Sequence, residues 1–112
     1  MLVDVLKKDR FDEACRRHPT CANALRTCYR VLCAIEPESY NDLSNAFGSR
    51  LDLFKPRSGA GWVVIDIGGN KLRLIAGINY ERKKLYVKHI YTHAEYDAAN
   101  QWYARNSQGV RP

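Results

Sequence analysis

Long apolar runs are missing from this chain of 112 residues. No stretch approaches the roughly 20 residues that a membrane helix requires. The opening, MLVDVLKKDRFDE, lacks the charged start, apolar middle and small-residue cleavage site of a secretory signal. The expected compartment is therefore the cytosol. The four cysteines (Cys15, Cys21, Cys28 and Cys33) form no CxxC pair and no Cys/His spacing of a zinc site. They are expected to be small buried hydrophobes in a reducing compartment. Paired carboxylates and metal-ligand clusters are also lacking, so neither a metal nor a cofactor is expected. Repeats, low-complexity tracts and linkers are absent, and the expectation is one domain over residues 1–112.

Acidic residues are scarce where basic ones gather. Residues 55–93 hold Lys55, Arg57, Lys71, Arg73, Arg82, Lys83, Lys84 and Lys88 against Asp66 and Glu81 alone. The other residues balance, so the whole net charge of +6 belongs to this segment. A localised basic segment points to a polyanionic partner, of which nucleic acid is the commonest. A merely solvated basic surface is the competing reading.

The chain reads as a helical front and a stranded back. MLVDVL is a short candidate strand. DRFDEACRR (9–17) reads as a helix with Asp9 and Asp12 in its first turn, where the helix dipole favours acids. Pro19 suits the opening of a second helix, expected over Thr20–Ile35, with Cys21, Leu25, Cys28 and Leu32 on one face. Ser39 is placed to cap a short helix that ends at Phe47 before Gly48. From Arg50 the period becomes two. Strands are expected at Leu51–Leu53, Trp62–Ile67, Leu72–Tyr80 and Leu85–Tyr91, and a last helix over Ala94–Arg105. The order predicts an α+β fold, an antiparallel β-sheet packed by N-terminal helices and a short C-terminal helix.

Gly68-Gly69 could cradle a phosphate or turn a hairpin. A phosphate loop would lead into a helix, whereas these glycines lead into a strand. Read as a two-residue hairpin loop, they set Asp66 opposite Lys71 and Val64 opposite Arg73. Val63, Ile65, Leu72 and Leu74 then share a core face. A four-residue loop at 81–84 would set Arg73 opposite Thr92. Arg73, His93, Asn70 and Lys71, with Tyr91 beside them, then gather at one end of the sheet. Lys88 lies farther along Arg73's face. His89 falls with Val87 on the apolar side as a structural residue, and Thr92 is a candidate cap for the last helix. The face carrying Trp62, Val64, Ile75 and Ile90 is left for either a helix or a ligand. Such a grouping suits RNA. Arginine grips phosphate and stabilises a pentacoordinate transition state. Histidine moves protons at the 2′-hydroxyl or the leaving 5′-oxygen. Tyrosines can stack on bases.

Two motifs in this region, Gly69-Asn70-Lys71-Leu72-Arg73-Leu74-Ile75 and Thr92-His93-Ala94-Glu95-Tyr96-Asp97, resemble the HigB toxins of the RelE-like superfamily. The resemblance spans Tyr40 to about Trp102. It implies a RelE-like fold and an mRNA interferase that cuts translated messages on the ribosome. It also implies a helix-turn-helix antitoxin (HigA-like), which with the toxin represses its own operon at operator DNA. By matching position, Asn70, Arg73 and His93 are the implied catalytic residues. Lys71, Lys88, Tyr91, Tyr96 and, at the end of its strand, Lys55 are candidates for RNA binding. A non-catalytic nucleic-acid-binding module that acts only in the repressor complex is the alternative.

Overall fold

A computed structural model describes residues 3–54, 62–69 and 71–105. Asn70 and Lys55 lie outside the described residues. The chain runs β1 (Asp4–Leu6), α1 (Asp9–Arg17), α2 (Ala22–Ala34), α3 (Tyr40–Phe47), β2 (Leu51–Phe54), β3 (Trp62–Ile67), β4 (Leu72–Asn79), β5 (Lys84–Thr92) and α4 (His93–Arg105). The five strands form one sheet in the order β1-β5-β4-β3-β2. Only the β1–β5 pair is parallel among them. This is the α+β fold that the sequence pattern predicts.

Local signals explain most of the element ends. Pro19 opens a short 3-10 turn, Pro19–Cys21, and α2 starts only at Ala22, two residues later than expected. His18 at this junction leaves helical geometry (φ −131°, ψ 68°), as residues before proline do. The Ser39 hydroxyl accepts the Asp42 backbone N–H at 3.3 Å and caps α3. Gly48 ends that helix with a left-handed φ of 61°. All four cysteines are free thiols, and Cys21 and Cys28 are buried. Burial pushes the Cys28 thiol up to about 12, slightly opposed by Arg50, so it stays protonated and packs as a hydrophobe.

The sheet buries both faces. On one, Phe11 and Ala14 of α1, Leu25 and Leu32 of α2, and Leu43 and Phe47 of α3 pack on Val63, Ile65, Ile67, Leu72, Leu74, Ala76, Leu85 and Val87. On the other, Ala99 of α4 packs on Trp62, Val64 and Ile75, with Tyr91, Tyr96 and Trp102 around them. A helix thus covers the second face. Ile90, expected there, packs instead with the main core.

Both hairpin registers differ from the sequence-based expectation. Gly68 and Gly69 do take left-handed φ values of 67° and 63°. Yet Ile67 pairs with Leu72 and Asp66 with Arg73, so the loop spans 68–71 and is four residues long. The shift is two residues. It keeps every side chain on its face, so hydrophobic alternation cannot distinguish the two registers. In the second hairpin Asn79 pairs with Lys84, one residue earlier than expected. The Asn79 side-chain oxygen accepts the Arg82 backbone N–H at 2.9 Å, and Lys83 takes a φ of 55°, which closes the turn early. A bulge follows. Ala76 pairs with Val87 but Ile75 with His89, leaving Lys88 as the extra residue. Beyond it the alternation of β5 is reversed. His89 therefore stands on Arg73's face, not on the apolar one, and Ile90 turns into the main core.

Leu25 is fully buried between α2 and the sheet. Leu25→Ala is expected to cost about 2–5 kcal/mol through lost burial and a residual cavity. Urea unfolding measures it, and a loss under about 1 kcal/mol would show that the α2–sheet interface repacks freely.

Candidate functional site

Strand pairing builds the site around Arg73. Its position on β4 is opposite Asp66 of β3 and Tyr91 of β5, so the three residues form a row on the α4 side of the sheet. The Arg73 guanidinium carbon lies 4.7 Å from the centre of the Tyr96 ring on α4. Arg73 Nε stands 3.4 Å from Asp66 Oδ1. That distance serves charge attraction, but the two are not aligned as a hydrogen bond, and among the described residues Nε has no hydrogen-bond partner. Both side chains are about one quarter exposed. The guanidinium is thus held by a carboxylate and a ring while part of it meets solvent. Asp66, expected opposite Lys71, is in fact Arg73's partner. Lys71 is exposed on the turn.

Burial pushes the Tyr96 phenol up, against the pull of the Arg73 guanidinium. Tyr96 stays neutral at physiological pH. Beside the Arg73 guanidinium it can support that side chain or stack.

The last helix begins beside this row. Thr92 pairs with Leu72, and exposed His93 is the first residue of α4. The Thr92 hydroxyl accepts the Glu95 N–H at 3.3 Å, and a Glu95 carboxylate oxygen accepts the Thr92 N–H at 2.9 Å. This reciprocal pair is a capping box. It bears out Thr92 as the cap and sets where the strand ends and His93 leaves it. Glu95 also meets Arg17 of α1 at 3.5 Å. Partial burial works to raise the Glu95 carboxyl, but hydrogen bonds with Thr92 and the Arg17 charge together outweigh it and hold the group below its usual range.

Along β5 the bulge adds what alternation hides. The His89 and Tyr91 rings stack at 4.4 Å with an interplanar angle of 14°. Lys88 stands apart from the Arg73 row. Its ammonium lies 5.5 Å from the Trp62 ring centre and 5.7 Å from that of Tyr86. Gly77, the neighbour of this group, is four residues from Arg73, roughly 13 Å along the strand. Arg73, Tyr91 and Tyr96 are therefore brought together, His93 follows directly on the end of β5 as the first residue of α4, and Lys88 is not among them. The place of His89 on this face was not foreseen because it depends on a bulge. The Thr92–Glu95 spacing could have been read from the sequence as a capping box.

A groove of about 790 Å³ between α1 and α2 belongs to the opposite side of the sheet and includes none of these residues. Among the described residues no helix is long and apolar enough to cross a membrane.

Residues 21–99 match the family model of the HigB toxin, the RelE-like toxic component of a toxin–antitoxin system. The chain belongs to the HigB toxin family. Over 106 residues, 95% of this chain and 100% of the relative, it is 40% identical to the mRNA interferase HigB of Escherichia coli O6:H1 (strain CFT073). Over 34 residues, 30% of this chain and 33% of the relative, it is 44% identical to the mRNA interferase toxin HigB of Escherichia coli (strain K12). The matched stretch includes the Arg73 row and His93, and membership implies an antitoxin partner.

Glu95→Gln tests the clasp. The folded carboxyl titrates below the unfolded one, so its stabilisation is complete above the ordinary carboxylate range. It is lost as pH falls through the depressed value. The side chain is 37% exposed, so the loss at neutral pH is expected to stay under about 1 kcal/mol. Urea midpoints of wild type and variant should differ at neutral pH and converge in acid. A gap that persists in acid would mean that the charge is not what stabilises.

Proposed function

We propose that this chain is the toxin of a toxin–antitoxin system, an endoribonuclease that cuts translated mRNA on the ribosome. The observation that carries this reading is the match, over the relative's full length, to a protein named mRNA interferase HigB. The Arg73 row supports it with suitable chemistry. The reaction needs no metal. The 2′-oxygen bonds to phosphorus, the P–O5′ bond breaks, and a 2′,3′-cyclic phosphate and a 5′-hydroxyl result. One group takes the 2′-hydroxyl proton and one supplies a proton to the 5′-oxygen. His93, exposed at the start of α4, serves in one of these roles. Arg73, oriented by Asp66 and Tyr96, faces the charge that grows on the phosphoryl oxygens. Asn70 is the third catalytic candidate, by its place in the Gly-Asn motif alone. Lys71, Lys88, Tyr91, Tyr96 and Lys55 bind the RNA strand, and the whole chain acts as one toxin domain.

The partner that restrains it is a HigA-like helix-turn-helix antitoxin, through which the pair reaches operator DNA. The toxin works in the cytoplasm, where ribosomes and messages are. The localised basic charge fits a polyanionic substrate.

Induced expression of wild type, Arg73→Ala and His93→Ala, with primer extension on translated messages, tests the reading. Wild type should arrest growth and produce new cuts. Each variant should stay folded and lose cleavage by about 100-fold or more. Soluble wild type that neither arrests growth nor cuts would favour the non-catalytic module. Arg73→Lys separates charge from shape. It keeps the charge but loses the planar fork, and it should recover little activity.

A further inference from the structure

Gly77 interrupts the interior of β4, where a glycine weakens a strand and often marks a close approach. Two side chains approach it closely. A Cβ at Gly77 would lie 3.3 Å from Lys88 Cε and 3.6 Å from Trp62 Cδ1. Gly77 pairs with Tyr86, and the β3–β4 register sets Trp62 on its other side. The row is therefore ring, gap, ring, with the Lys88 ammonium within 5.7 Å of both ring centres. The bulge residue carries the cation. Bulges re-aim side chains beside functional sites. Trp62 is buried at 8% exposure, whereas Tyr86 is 40% exposed.

A floor aromatic, an open aromatic and a cation between them are the parts of a single-strand nucleic-acid platform. Bases stack on the open ring and the cation takes a phosphate. The platform shares the sheet face with Arg73. Asp52 and Asp66, acidic residues of this face, act on Tyr96 at the other end. A strand of RNA could therefore run from the Arg73 row to Lys88 along the β5 side.

We infer that Tyr86 and Lys88, seated on Trp62 across the gap at Gly77, form a second RNA subsite that stacks one unpaired base and holds its phosphate roughly 13 Å from Arg73. The inference rests on the endoribonuclease reading and adds where the strand is gripped away from the cut. The subsite sets the register of the message on the toxin. It acts on binding, not on bond breaking.

The test is an abasic scan. A single-stranded RNA, 2′-O-methylated to block cutting, loses one base at a time, and binding is read by fluorescence anisotropy. The same messages are read on programmed ribosomes. For wild type, one abasic position should weaken binding roughly tenfold, the worth of one stacked base. Tyr86→Ala should be weaker by a similar factor and insensitive to that same position. Tyr86→Phe should behave as wild type. Lys88→Gln should weaken binding and lower the salt slope by about one contact. An abasic profile identical in wild type and Tyr86→Ala overturns the subsite, and cleavage by the wild type would leave the endoribonuclease reading intact. Wild type that neither binds nor cuts RNA, free or on ribosomes, overturns both.

Discussion

The central hairpin has two apolar faces, and the helical front can cover only one. β3 is buried along almost its whole length, from Trp62 to Ile67. Such strands need a layer on each side. Helices α1 to α3 supply one layer, and α4 must supply the other. A single helix of 13 residues cannot cover a whole sheet face. It seals the middle, where Ala99 meets Val64 and Ile75, and among the described residues it leaves polar and aromatic groups at both ends. The Arg73 row lies at one end and the Lys88 group at the other. The candidate interface is thus what remains of a face that the fold needs half closed.

Orientation within the row follows from the same packing. Tyr96 reaches Arg73 because the capping box at Thr92 and Glu95 starts α4 directly at the strand end. Asp66 reaches it because the first hairpin turns with four residues. An arginine fixed by a ring and a carboxylate has little rotamer freedom left to lose on meeting phosphate, which is the advantage of a preorganised group. The carboxylate also competes for the charge, and partial exposure of both groups keeps that competition modest.

Much of this was legible in the chain. The strand and helix positions, the Ser39 cap, the turn glycines and the basic segment all rest on local chemistry, and local chemistry is what a sequence displays. The Gly-Asn and Thr-His motifs pointed to the family on which the functional reading rests. The two registers were not legible. A slip of two residues preserves alternation, so Val64 and Asp66 were equally acceptable partners for Arg73 by pattern alone. The bulge at Lys88 was invisible for a related reason. It reverses the pattern for the rest of β5, and both settings give plausible faces.

The amino-acid order by itself determined which segments fold into helices or strands, where the chain turns and where positive charge accumulates, because each depends on neighbours within a few residues. Tertiary structure decided which carboxylate holds Arg73, on which face His89 stands, and that α4 closes the second face only in part. Those outcomes depend on contacts between residues far apart in the chain, such as Tyr96 with Arg73 and Glu95 with Arg17, which no local pattern records.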